Sequence, residues 1–375
     1  MFRNFYVLHR SGKTYLAKNF HGGMLDQGLV VGFSSSVSSF CKTLLCEEVR
    51  EVTSLSGRIV YKSVGDFIFV VHSDLQIGSQ VIQSVLGDVV AICELLFGLC
   101  QSWDEDTFDL EGAQDIVSAY FLEATSSPST VVGGVSQVFI DREISDRLDK
   151  LQAYLEGQEG VCSNGTMLVL GNSVLHSRMS LIDTRMILQY HRMRGVGLTS
   201  ARFTPIYASG SWRNLYAVRV NSFVLFVTTF IGTPYSLIEK KIDEFQTTLI
   251  QSRLEIPIEE PSVLLRLYAK RETLAMLYTN SKTGATLFPE LRPGPDIQHK
   301  ELMEAFWGFF SNASTALCIP GVTEFSICRD LYRFYAKCEG IHKLYVLFSS
   351  ETSFTDAPVL ASDILKNVKN MISSR

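Results

Sequence analysis

Alternating apolar and polar positions predict a strand, a tight turn, a second strand and a long helix over residues 58–99. Residues 58–63 (Arg-Ile-Val-Tyr-Lys-Ser) and 67–72 (Phe-Ile-Phe-Val-Val-His) read as a hairpin turning at Val64-Gly65-Asp66. The helix is expected over residues 80–99, with Ser79 as its N-cap and Val81, Ile82, Val85, Leu86, Val89, Val90 and Cys93 in one apolar stripe. The same grammar returns twice. Residues 212–220, a turn at Asn221-Ser222, residues 223–230 and a helix from Thr233-Pro234 make a second copy. Residues 331–337, a turn at Glu339-Gly340, residues 341–348 and a helix from Asp356 make a third. A unit that recurs three times is an architecture.

Each closing unit has an opening one before it. Residues 5–20 read as a hairpin turning at Arg10-Ser11-Gly12. Residues 167–170 with 174–176, and 274–278 with 285–288, read as two more. After the first hairpin a helical pattern places Phe33, Val37, Phe40, Cys41, Leu44 and Leu45 on one face. Ser35, Ser39 and Lys42 fall on the other face, and residues 48–55 read as a further strand. Asp183 is expected to cap a helix running to about Met193, and residues 116–122, 144–154, 299–310 and 358–371 also read as helical. Residues 125–130 and 255–261 carry the Ser, Thr and Pro of linkers. The fold class is therefore α+β: three consecutive modules over residues 1–125, 131–254 and 262–375, each an antiparallel sheet flanked by helices.

Composition narrows the classes. The chain has 375 residues, 46% hydrophobic and 19% charged, which is globular and somewhat greasy. A net charge of −5 makes nucleic acid a poor partner. None of the eight cysteines has Cys-x-x-Cys spacing, and most sit in apolar runs, as reduced core thiols do. The start at Met1-Phe2-Arg3 enters a strand pattern rather than a leader, and no uninterrupted apolar run approaches the ~18 residues of a span. A cytoplasmic location without signal peptide or transmembrane segment is the expectation, and the greasy surface suggests burial against a partner.

Motifs of chemistry are incomplete. Arg10-Ser11-Gly12-Lys13-Thr14 resembles the tail of a phosphate loop, but Val7 stands where the first glycine belongs and a strand follows. Gly195-Val196-Gly197 has Ser200 in place of a third glycine. No Gly-x-Ser-x-Gly elbow occurs, and Asp104-Glu105-Asp106-Thr107-Phe108 lacks the glycine of a calcium loop. The histidines never pair at His-x-x-x-His spacing. Lys240-Lys241 and Lys366 with Lys369 read as solvated faces. No catalytic residue, cofactor or metal ligand is therefore assigned, and the serine-bearing face of the helix over residues 33–45 is the one surface singled out.

The order hairpin, helix, strand, hairpin, helix resembles the longin fold, and residues 5–20 and 58–97 resemble a first longin domain in particular. Three such modules in one chain are similar to the tri-longin family, whose members are subunits of heterodimeric guanine-nucleotide exchange factors for Rab-type GTPases. Residues 59–90, 203–245 and 264–310 carry the likeness as hydrophobic patterns. Within the family the ciliogenesis and planar-cell-polarity branch, that of the CPLANE complex, is the nearer. The Mon-type endolysosomal branch is the second, on residues 277–289. The resemblance implies exchange without covalent chemistry, on a platform shared with a second longin subunit, Inturned-like or Ccz-like, that receives a Rab-family GTPase. It implies a partner interface near Ser35, Ser39, Lys42, Val49 and Glu51, and peripheral membrane association only through the complex. The ciliary base or cytoskeleton would be the location within the cytoplasm. Two other classes stay open: a vesicle-trafficking coat or tethering scaffold, and, against the missing elbow, a hydrolase.

Overall fold

The computed structural model describes residues 2–20, 27–55, 57–75, 77–104, 113–126, 128–138, 140–194, 203–251, 272–288 and 299–373. The 255–261 linker, the Gly195-Val196-Gly197 turn and most of the acidic 104–108 loop lie outside these residues.

The first sheet contains β1 (Phe2–His9), β2 (Thr14–Asn19), β3 (Glu51–Ser54), β4 (Gly57–Val64) and β5 (Phe67–Ser73), in the order β2-β1-β5-β4-β3. All its pairs are antiparallel. β5 is the most apolar strand, buried along its whole length, and so takes the centre. Between β4 and β5 the chain turns on Gly65, whose φ of 59° suits a residue without Cβ. One face carries Tyr6, Leu8, Tyr61, Ile68 and Val70 and lies under α1 (Gln27–Phe40). The other lies under α2 (Ser79–Phe97). The capping expectation is corrected here: Gly78 is the N-cap and Ser79 is the first helical residue. α3 (Gln114–Ser126) closes this layer, where Phe121 packs on Phe2 and Phe5 at 5.3 and 4.9 Å, and the Tyr120 hydroxyl donates to buried Asp88 at 2.7 Å. The 125–130 linker is also corrected. Pro128 opens a short helix, α4 (Pro128–Val132), which packs on α2 and α3.

The topology repeats. After the short β6 (Val135–Ser136) and α5 (Arg142–Glu156) come β7 (Val161–Leu170), β8 (Ser173–Ser177), α6 (Leu181–Arg194), β9 (Phe203–Ala208), β10 (Ser211–Val220), β11 (Phe223–Phe230) and α7 (Tyr235–Gln251). The second sheet runs β8-β7-β11-β10-β9, the same permutation as the first. Its core joins Leu148, Leu168, Tyr216, Leu225, Ile238 and Phe245 beneath α5 and α7. α7 buries Ile238, Ile242, Phe245 and Leu249, an apolar stripe whose helical spacing is plain in the sequence. Asp183 is not the cap of α6. Ser180 is, its Oγ accepting the Asp183 N–H at 3.1 Å and donating to the Asp183 carboxylate at 2.9 Å.

The third sheet comprises β12 (Thr273–Asn280), β13 (Ala285–Leu287), β14 (Glu324–Cys328), β15 (Tyr332–Glu339) and β16 (His342–Ser349). Its order is β14-β15-β16-β12-β13-β6, with β6 pairing parallel to β13. α9 (Asp356–Ser373) covers one face through Ala361, Ile364, Leu365 and Val368. The remaining helix is α8 (His299–Ala316). The fold is thus α+β, with three sheets of one topology, each flanked by helices.

By contact the chain gathers into two compact units: Met1–Gly133 with Ile297–Cys318, and Gly134–Asp296 with Ile319–Arg375. α8, which follows β13 in sequence, therefore belongs to the first unit. In the second unit, the Val138 N–H donates to the Val174 carbonyl at 2.8 Å, and Leu181 meets Gly284, tying the second and third sheets together.

Candidate functional site

α1 carries two interleaved stripes. Val30 and Ser34 are buried, and Val37 and Cys41 half-buried, at the i, i+4, i+7, i+11 positions of the face that meets the sheet. Leu29, Phe33 and Phe40 lie on a second stripe, 72%, 45% and 56% exposed. The single apolar face expected from the sequence is therefore corrected to two. Val37 and Cys41 do turn in, but Phe33, Phe40, Leu44 and Leu45 turn out.

The end of the helix explains part of this. Residues Cys41–Leu45 form a π-helical turn, closed by Cys46, which donates its N–H to the Cys41 carbonyl from a φ of 55°. In a continuous α-helix Leu45 would follow Cys41 on the inward face, four residues on. The wider turn moves it off that register, and Leu44 and Leu45 stand 66% and 58% exposed. Leu55, the residue after β3, is also fully exposed. The helix and its π-turn thus present an apolar surface with Lys42 as its one basic group.

Ser35 is half-buried and its hydroxyl has no hydrogen-bond partner among the described residues, whereas Ser39 and Lys42 are exposed. Val49 is buried in the core beneath α1. Glu51 is half-buried and held within the chain: its carboxylate accepts from Thr53 Oγ1 at 2.7 Å and faces Arg58 Nε at 2.8 Å. Burial pushes the Glu51 carboxyl up, but the Thr53 and Ser79 hydroxyls and the Arg58 guanidinium outweigh it and leave its pKa below the ordinary value. Ser39 and Lys42 thus share one outer surface, while Val49 and Glu51 support it from within.

Behind the π-turn an open cleft of about 1080 Å³ is lined by Cys41, Glu47, Glu48, Arg50, Lys62 and Gln83 among others. Gln83 fixes its wall, donating to the carbonyls of Tyr61 at 2.8 Å and Arg50 at 3.3 Å. Tyr61 lies 1% exposed under α1, and its burial raises its pKa, with the nearby Ser34 hydroxyl partly opposing. Among the described residues no group of His, Cys, Asp or Glu is arranged to hold a metal. What the arrangement offers is packing surface: large apolar side chains on a rigid helix over a filled core. Hydrophobicity alone assigns the larger side chains inward. The interposed Val30 and Ser34, one position along from Leu29 and Phe33, are the sequence signal for the second stripe.

Two helical stretches reach the length and composition of a span, Gly28–Leu45 with mean hydropathy 1.3 and Ser79–Phe97 with 1.6, though neither is an uninterrupted apolar run. The second is the core helix α2, with ten buried residues. The first is the stretch whose apolar side chains face out.

No family model matches the chain, and no curated protein matches it. Among solved structures, Myxococcus xanthus MglB aligns at 12% identity and a TM-score of 0.22, over 32% of this chain and 94% of that one. At that score the likeness carries no argument about fold or function.

Proposed function

We propose that this chain is one subunit of a heterodimeric longin complex that acts on a Rab-family small GTPase, and that the outer surface of α1 and its π-turn receives the second subunit. The exposed stripe of Leu29, Phe33, Phe40, Leu44 and Leu45 on an otherwise well-packed module carries this reading. Large aromatic and aliphatic side chains held rigidly on a helix are the chemistry of an interface core. The finer reading is a Fuzzy-like subunit of the CPLANE type, in ciliogenesis and planar cell polarity, with an Inturned-like partner. A Mon-like subunit with a Ccz-like partner is the alternative, and a non-catalytic trafficking scaffold the third. Exchange of this kind involves no covalent step: the complex holds the nucleotide-free GTPase more tightly than the nucleotide-bound one.

Affinity purification from cells followed by nucleotide-release assays tests this reading. A second longin-fold protein and faster GDP release from one Rab-family GTPase support it. A longin partner without effect on any GTPase moves it to the scaffold. A chain recovered alone removes it.

A further inference from the structure

Among the described residues, no helix covers the β9 end of one face of the second sheet. Along β10, Trp212, Asn214, Tyr216 and Val220 point to the side of α5 and α7, where Tyr216 and Val220 join the core. α7 reaches β10, where Tyr235 stacks on Tyr216 and Gln246 donates to the Arg219 carbonyl. Over β9, the edge strand, the face is open, and Phe203 and Trp212 are 54% and 44% exposed.

The strand register arranges this face in rows. Trp212 lies opposite Tyr207, Asn214 opposite Pro205, and Tyr216 opposite Phe203. Tyr207 and Trp212 pack edge to face with ring centres 5.8 Å apart. At the other end Phe203 and Tyr216 are 6.1 Å apart, and Tyr235 at the start of α7 stacks on Tyr216 at 5.9 Å. Two aromatic walls thus stand four residues apart along β10, or about 13 Å at a strand's rise. Between them lies Asn214, 8% exposed, whose amide makes no hydrogen bond among the described residues. The Trp212 indole N–H and the Tyr207 hydroxyl are likewise without hydrogen-bond partners among them. The flank of α7 beside the groove is acidic, with Glu239 and Asp243 both acting on Tyr235. Glu239 follows Tyr235 by one turn and accepts from its hydroxyl at 3.5 Å, and Gln246 farther along the same flank reaches the Arg219 carbonyl of β10. The α7 lysines point elsewhere: Lys240 lines the α5–α7 side, and Lys241 pairs with Glu244 at 3.5 Å.

The geometry points to a docking groove for a proline-rich, polyproline II segment of a partner protein that carries a basic residue. Aromatic walls with hydrogen-bond donors between them are how such segments are gripped: the rings take the prolines and the donors take the free carbonyls. Four residues of that helix rise about 12 Å, which matches the spacing of the walls. Strand addition is disfavoured, because Pro205 lies within the edge strand and removes a ladder donor at the middle of β9. The carboxylate of Glu239 selects a cationic flank and repels an anionic surface. This inference is independent of the α1 surface.

The test is fluorescence anisotropy of a labelled synthetic proline-rich peptide bearing one arginine, titrated with the full chain. Two comparison peptides carry glutamate or glutamine in place of the arginine. Saturable binding is expected, weakened at least tenfold by Trp212→Ala. Glu239→Gln, on an exposed helix flank, is expected to weaken the arginine peptide severalfold and leave the glutamine peptide unchanged, and this arm stands even if Trp212→Ala unfolds. Three results would overturn the proposal: no saturable binding at millimolar chain, binding indifferent to both variants, or equal binding of the glutamate peptide.

Discussion

The Ser311 hydroxyl occupies the place where a Cβ on Gly78 would sit: that atom would fall 1.5 Å from Ser311 Oγ and 2.7 Å from its Cβ. Gly78 caps α2 and Ser311 lies on α8, more than two hundred residues later, so the glycine sets how closely the two helices of the first unit approach. Thr315 donates to the Gln80 side chain at 3.0 Å one turn farther along. Gly78→Ala is expected to cost about 1–3 kcal/mol of overpacking. Ser311→Gly should restore much of it in the double variant. Chemical denaturation of the single and double variants measures the coupling.

Glu156 ties the end of α5 to β7. Its carboxylate accepts the backbone N–H groups of Asn164, Gly165 and Thr166 at 2.9, 3.0 and 3.1 Å, the Thr166 hydroxyl at 2.7 Å and Arg178 Nε at 3.0 Å. Arg178 also pairs with Asp149, and these carboxylates hold its pKa above the ordinary arginine value. Glu156→Ala leaves these backbone donors without their acceptor and Arg178 with Asp149 alone, an effect of about 1–3 kcal/mol. Glu156→Gln keeps one acceptor oxygen and should cost less. Equilibrium unfolding of the two variants gives the order.

Acid should weaken the fold through its histidines. Burial lowers the pKa of His72, His176, His191 and His342. The unfolded chain then takes up protons near the ordinary histidine value of about 6.5 before the folded chain does. Stability is full above that pH and falls as pH drops toward the folded values. His176, which pairs with Gln152, is a clear case, and His176→Asn should flatten the slope of stability between about pH 6.5 and 5. Thermal unfolding across that window checks the sign. A variant slope as steep as the parent's would remove the assignment.

The repeated hairpins and the α7 stripe were legible because strand alternation and helical spacing are local and strong. Cap positions were not: Ser79 and Asp183 are both good capping residues, but Gly78 and Ser180 just before them have the cap geometry. The short helix at Pro128 was hidden by a composition that also suits linkers. On α1 the periodicity was real, but which of two apolar stripes faced the sheet depended on packing. Tyr61 beneath the helix leaves room for Val30 and Ser34 rather than for Phe33. Of the surface residues expected from the sequence, Ser39 and Lys42 are exposed, whereas Val49 and Glu51 are engaged inside the module.

The outward stripe is expected to contribute nothing to the fold itself. Phe33→Asp with Leu44→Asp should leave the unfolding midpoint of the isolated chain within the ±0.5 kcal/mol ordinary for surface changes. It should instead reduce recovery of a partner at least tenfold. A loss of several kcal/mol would make the stripe structural.

The most direct measurement places a photo-crosslinking amino acid at Leu44 in cells, with Tyr154 on α5 as the control position, and identifies the adducts by mass spectrometry. The account predicts a single major adduct at Leu44, to a second longin-fold protein, that is absent at Tyr154. No adduct at Leu44, or the same adducts at both positions, would contradict it.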